Sequence, residues 1–292
     1  MTACGSVKNG FMWKHDRTKA FGESRMEKKD LKSMTLEELT EFVKELGEKP
    51  FRAKQLYQWM HVKLAESLDE CTNLPKSLKE KLSEYSTYTS LKTVKMLESG
   101  IDGTRKYLFG LDDGNVIESV LMRYKHGNSV CISSQVGCRM GCRFCASTLD
   151  GLVRGLTPSE MLDQIYRITR DTGERVANVV VMGTGEPMDN FDNLLKFIEL
   201  LTDENGLNIS QRNVTVSTCG IVPKMRELAA AQLAGKRKFA DGQRLYIAGL
   251  MRMQPNKAWA SDANFTLRLT YGRVLPYDPA DGIHYNYYTT LK

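Results

Sequence analysis

No stretch of this 292-residue chain comes near the roughly eighteen uninterrupted apolar residues that a membrane-spanning helix needs. The opening MTACGSVKNGFMWKHDRTK also lacks the apolar core of a secretory signal. Both absences argue against a membrane-embedded or exported protein, so a cytoplasmic location is expected. Low-complexity tracts and short internal repeats are missing as well, which excludes a repeat array. An even framework of cysteines is lacking too: there are seven, and four of them crowd into residues 131–145. In a reducing compartment that distribution points to metal ligation or catalysis rather than to structural disulfides.

What is present suits a globular α/β protein. The length allows one large domain with a small accessory domain, or two ordinary domains. A hydrophobic fraction of 41% and a charged fraction of 26% are near the averages for such proteins. The formal net charge of +6 invites a nucleic-acid reading, but residues 236–292 hold nine Lys or Arg against four Asp or Glu. The basic balance therefore belongs to the tail and says little about the remainder.

Residues 1–25 read as a polar, flexible leader, with Met26 an equally good start. Thr35 and Glu38 then form a capping box ahead of Leu36, Leu39, Val43 and Leu46 on one helical face, and Gly47 supplies the stop. Further helices are predicted over Phe51 to His61 and Pro75 to Tyr85. Together they make a small helical accessory domain over 26–95, in which Cys71 reads as a structural thiol. KYLFGL, an Asp113-Gly114 turn and VIESVLM predict a hairpin. Alternation puts Glu118 on the face of Val116 and Val120; a carboxylate among inward valines is unusual, and the alternative is an edge facing solvent.

Beyond the cysteines, helices and strands alternate. Thr157, Pro158 and Glu160 open a helix with Met161, Ile165 and Ile168 on one face. VANVVVMG and NVTVST read as buried strands, and FDNLLKFIELLTD and PKMRELAAAQL as helices. This order predicts βαβ units and a parallel sheet.

The stretch VCISSQVGCRMGCRFCAST carries the chemistry. Cys138, Cys142 and Cys145 form C-x3-C-x2-C, whereas an iron–sulfur cubane ordinarily takes four thiolates. Three ligands leave one iron open, which suits a cluster that binds and reduces S-adenosylmethionine. Gly137 and Gly141 permit a tight loop, and Phe144 is expected to shield the cluster from water. The alternative is a zinc site with Cys131 as fourth ligand, for which the spacing fits poorly. Cys131 lies in an apparent strand, SVCISSQV, that carries it away from the loop. MGTGEPMDN, between a strand and a helix, places Gly185 and Glu186 where main-chain groups can bind a ligand, and Ser217 ends the next strand. In parallel sheets ligands sit at such carboxyl ends.

Taken together, CISSQVGCRMGCRFCAST, MGTGEPMDN and NVTVSTCGIVP resemble the radical S-adenosylmethionine (SAM) superfamily, and within it the dual-specificity 23S ribosomal RNA and transfer RNA adenine-C2 methyltransferases. The resemblance runs from about Met26 to about Ala230. It implies an α/β fold, a partial (β/α) barrel with the helical accessory domain, whose radical SAM core covers 96–234. It implies a [4Fe-4S] cluster on Cys138, Cys142 and Cys145, and S-adenosylmethionine against Gly185, Glu186 and Ser217. Glu118 would be the proton acceptor and Cys131 the resolving thiol. In the family a late cysteine is methylated by one S-adenosylmethionine, and a radical from a second activates that methyl for addition to adenine C2. A transient disulfide to the resolving thiol then frees the product. Implied partners are 23S rRNA, tRNA and an electron donor such as flavodoxin or ferredoxin, with no membrane and a monomeric state.

From about Ala231 the resemblance stops. The family's Ser-Leu-His strand end, its cofactor-binding asparagine and its carrier cysteine do not appear, and the last cysteine is Cys219. Residues 235–292 are therefore expected to be an atypical, non-native tail on a truncated enzyme, with an exposed sheet edge and impaired activity. Two other classes remain: a different radical SAM enzyme, for which a second cysteine set is missing, and an RNA- or ribosome-binding module resting on the helical domain.

Overall fold

The computed structural model describes residues 28–125 and 127–230, together with two short strands, Tyr277–Ala280 and Ile283–Tyr285, that pair with each other. The expectations for the leader and for most of the tail lie outside these residues.

The chain opens with β1 (Lys29–Asp30), a 3-10 turn and α1 (Leu36–Glu45). The capping box forms as the sequence predicts: Thr35 Oγ1 accepts from Glu38 N at 3.2 Å, and Glu38 Oε2 accepts from Thr35 N at 2.8 Å. Leu39, Phe42 and Val43 are buried, and Leu36 and Leu46 pack on their margin. Then come α2 (Phe51–His61), α3 (Lys76–Tyr85) and β2 (Ser86–Thr87), which pairs with β1. Cys71 is fully buried between α2 and α3 as a free thiol, and burial pushes it up to about 11.

A six-stranded sheet follows. Its members are β3 (Lys92–Glu98), β4 (Arg105–Gly110), β5 (Val116–Met122) and β6 (Asn128–Ile132), then, beyond a separate pair β7 (Gln135–Gly137) and β8 (Leu152–Gly155), β9 (Val176–Val181) and β10 (Val214–Val216). The order is β10-β9-β6-β5-β4-β3. β6, β9 and β10 are parallel, as the alternating pattern predicts, while β3 to β6 form an antiparallel meander. The described sheet is therefore mixed rather than wholly parallel. The crossovers are α4 (Pro158–Thr172) and α5 (Phe191–Thr202), and residues 222–230 are helical after β10. Among the described residues no helix is long and apolar enough to cross a membrane.

The helices cover one face of this sheet. Ile117, Leu121, Val130, Ile132, Val179 and Val181 point toward them and are buried. Glu118 lies on the opposite face, with Val116 exposed beside it. The reading of an inward valine face is thus corrected: alternation separates two faces, and the helices close over the other one.

The apparent strand SVCISSQV also breaks. It leaves the sheet after Ile132, because the buried Gln164 of α4 takes the place of a neighbouring strand. Gln164 Oε1 accepts from Ser133 N at 2.9 Å, and its Nε2 donates to Ser133 O at 3.1 Å. Ser134 N and Gln135 N then turn to Thr184 O.

Candidate functional site

The carboxyl ends of β6, β9 and β10 share one rim of the sheet. Three loops meet there: residues 138–149 after β7, the Gly183–Asn190 turn after β9, and residues 217–221 after β10.

The cysteine loop begins where β7 and β8 close it off. Gly137 has φ +73°, and a Cβ there would lie 2.0 Å from Gly151 O, so only glycine fits this entry. Cys138 N donates to Gly151 O at 2.9 Å and Cys145 N to Cys142 O at 3.1 Å. Thr148 Oγ1 donates to the carbonyls of Cys142 and Cys145. Cys138 is buried, Cys142 and Cys145 are half-buried, and all three are free thiols. Among the described residues no three metal-binding side chains converge tightly enough to hold an ion. In type and number, however, the donors suit an iron–sulfur cluster: three soft thiols within eight residues on one loop. Phe144 is 84% exposed, so the expected shield over these thiols is not formed by the described residues.

The turn after β9 packs hard against β7. Gly185 has φ +113°, and a Cβ would come within 2.6 Å of the Gln135 side chain. Glu186, only 4% exposed, uses both carboxylate oxygens on main-chain donors: Oε1 accepts from Met188 N at 3.0 Å and Oε2 from Cys219 N at 2.7 Å. Its own N–H donates to Gln135 Oε1 at 2.8 Å. Glu186 thereby ties the rims of β9 and β10 together. Burial, then the neighbouring Glu186, pushes the Cys219 thiol up to about 11. Ser217 N donates to Val181 O at 3.0 Å, which sets the half-buried serine at the end of β10.

Glu118 and Cys131 reach the same rim from the open face. Val120 pairs with Cys131, so Glu118, two residues earlier on an antiparallel strand, stands level with Ser133 just past the end of β6. Ser133 Oγ donates to Glu118 O at 2.7 Å. The two side chains share a face one diagonal step apart. Lys106 Nζ lies 2.8 Å from Glu118 Oε1, and both are about half exposed. Burial raises the Cys131 thiol above the ordinary cysteine range, partly offset by the Met182 main-chain N–H.

The site also contains residues that sequence reasoning missed. Gln164, Gln135, Lys106 and Asp189 each act through a partner more than ten positions away, and no local pattern marks them. Asp189 Oδ2 accepts from Gln135 Nε2 at 3.1 Å and its Oδ1 pairs with Arg139; that guanidinium holds the Asp189 carboxyl below the usual range, against the opposing effect of burial.

Residues 29–87 match the family of ribosomal RNA large subunit methyltransferase N-terminal domains. Residues 160–292 match the peptidase S46 family. The chain is 70% identical over 204 residues to the probable dual-specificity RNA methyltransferase RlmN of Lachnospira eligens, covering 70% of this chain and 58% of that one. Against the same protein of Lachnoclostridium phytofermentans it is 63% identical over 207 residues, 71% of this chain and 58% of the relative. A crystal structure of a radical SAM methyltransferase from Sphaerobacter thermophilus superposes with a TM-score of 0.65 at 40% identity, covering 69% of this chain and 60% of that one. The chain thus spans somewhat under two thirds of these relatives' length. Over the region it shares with them, the chain belongs to the RlmN-type radical SAM methyltransferase family.

Proposed function

We propose that this chain carries the cluster and cofactor site of an RNA methyltransferase acting at C2 of adenosine, in 23S rRNA and in tRNA. The carrying observation is the gathering of the cysteine loop, the Gly183–Asn190 turn, Ser217, Glu118 and Cys131 at one rim, in a chain 70% identical over 204 residues to a relative named as an RNA methyltransferase. Cys138, Cys142 and Cys145 would hold a [4Fe-4S] cluster, fed by a flavodoxin- or ferredoxin-type donor. Bound together, the cluster and S-adenosylmethionine supply a carbon-centred radical.

Main-chain groups of Gly185 and Glu186, with the Ser217 hydroxyl, bind the amino acid end of S-adenosylmethionine. Glu118, oriented by Lys106, takes the proton from adenine C2. Such a base edge must be unpaired or extruded to reach a protein face. Cys131 is the resolving thiol, kept protonated by burial until a disulfide partner is presented. The three parallel strands and their helices are the first part of a partial barrel, with residues 26–95 as its accessory domain. The protein acts as a monomer in the cytoplasm. The sequence has no cysteine after Cys219, whose thiol faces Glu186, so in this reading these residues alone supply no methyl carrier and do not complete the transfer.

Anaerobic reconstitution tests the reading. The expected result is four irons per chain with a brown absorbance, loss of both in Cys142→Ala, and release of 5′-deoxyadenosine with dithionite and S-adenosylmethionine. No C2-methyladenosine should appear by mass spectrometry. Failure to load iron would favour the RNA-binding or zinc reading, and clear methyl product would overturn the proposed impairment.

A further inference from the structure

The cysteine loop leaves the body of the protein with few ties. Its main-chain bonds run within the loop or to its own closing residue, Gly151. Among the described residues the side chain that reaches outward is Arg139, which lies between Cys138 and Cys142 and pairs with Asp189. Asp189 sits in the turn after β9, with its side chain only 10% exposed. Its second oxygen accepts from Gln135 Nε2, and Gln135 Oε1 accepts in turn from Glu186 N. One polar chain therefore runs from the cysteine loop, through Arg139, Asp189 and Gln135, into the turn containing Gly185 and Glu186.

We propose that Asp189 is a positioning residue: with Arg139 on one carboxylate oxygen and Gln135 on the other, it holds the cysteine loop in register with the turn after β9. The inference rests on the functional reading above, in which the two segments hold the cluster and its small-molecule partner. A plain surface ion pair is the competing explanation. Arg139 is 63% exposed, and such pairs contribute at most about 1 kcal/mol to stability. Positioning differs in what it moves. Breaking the link leaves the helices and sheet untouched, because no core residue depends on Arg139, while the loop loses its outward tether. Groups that orient metal ligands typically matter about 10- to 100-fold for metal affinity when removed.

The test uses the full chain, reconstituted without oxygen, and compares wild type with Arg139→Ala, Asp189→Ala, Asp189→Asn, Arg139→Lys and the double alanine variant. A ferrous chelator is added, and iron release is followed by the absorbance of the chelate, with urea unfolding measured in parallel. Arg139→Ala and Asp189→Ala should each speed release about ten-fold, with little change in the urea midpoint. The double variant should match either single, because both cut the same link. Arg139→Lys, which keeps a charge for Asp189, should recover much of the retention. The change that S-adenosylmethionine causes in the electron paramagnetic resonance of the reduced cluster should need about ten-fold more cofactor in the alanine variants. Unchanged release and unchanged cofactor response would overturn the inference, as would a double variant whose effects multiply. If Asp189→Ala does not fold, Asp189→Asn carries the same comparison, since it removes the charge and keeps an acceptor for Gln135. A wild-type chain that takes up no iron, judged against Cys142→Ala as the blank, defeats both this inference and the functional reading.

Discussion

His61, at the end of α2, is fully buried against Tyr57, whose ring centroid lies 4.3 Å away, and Tyr166, whose hydroxyl is 2.7 Å from Nδ1. Among the described residues its Nε2 finds no partner. Desolvation, reinforced by nearby Lys32 and only partly opposed by Asp203, drives its pKa down to about 3. In the unfolded chain a histidine takes its proton near pH 6.5. Between those values the unfolded state binds a proton that the folded state refuses, so stability falls as pH drops, by about 1.4 kcal/mol per unit at full slope. Urea unfolding of His61→Gln and wild type at pH 7, 6, 5 and 4.5 should therefore converge toward acid, with the wild type steeper; parallel pH curves would show that His61 titrates normally. At this scale the sequence was informative where chemistry is local. Cys138, Cys142 and Cys145 could be read as one ligand set because eight residues contain them all. Glu118 could not be placed, since alternation defines two faces and says nothing about which one α4 covers.

Both capping boxes show how far an element can be legible. Thr157 and Glu160 exchange main-chain and side-chain bonds at 3.3 and 2.9 Å, with Pro158 at the first helical position, and Gly173 ends α4 at φ +67°. Every one of those roles is set within four residues, so sequence alone placed this helix. Glu160 does more than the motif requires: it also accepts a fork from Arg154 of β8 at 2.8 and 2.7 Å. Thr157→Ala should cost about 1 kcal/mol, and Glu160→Ala more, because it removes the cap and also takes one of the two carboxylates that Arg154 pairs with among the described residues. Equal losses in chemical denaturation would mean the fork contributes nothing. The break after β6 was not legible, because Gln164, which replaces the missing strand partner of Ser133, stands thirty-one residues away on a helix.

Across the whole molecule the helical part and the sheet are joined through buried charge. Lys32, just before α1, meets Asp163 of α4 at 2.6 Å, with the side chains 1% and 2% exposed. Asp163 also accepts from Leu91 N at 2.7 Å, and Lys32 lies 4.6 Å from the Tyr88 ring. Burial lowers the lysine pKa against the pull of Asp163. Removing one partner strands the other, so Asp163→Ala should cost about 3–5 kcal/mol in urea unfolding. Lys32→Met with Asp163→Leu should cost clearly less than the sum of the two single changes; additive losses would show that the charges are not coupled. The sequence by itself determined the helices, the hairpin, the parallel βα order and the three-cysteine loop, because capping, turn chemistry and ligand spacing act over a few residues. Only the tertiary structure decided which sheet face is covered, where β6 ends, how Glu186 and Asp189 spend their oxygens, and that a buried lysine fastens the N-terminal helical part to α4. Those outcomes depend on pairs tens to more than a hundred residues apart, which only folding brings into contact.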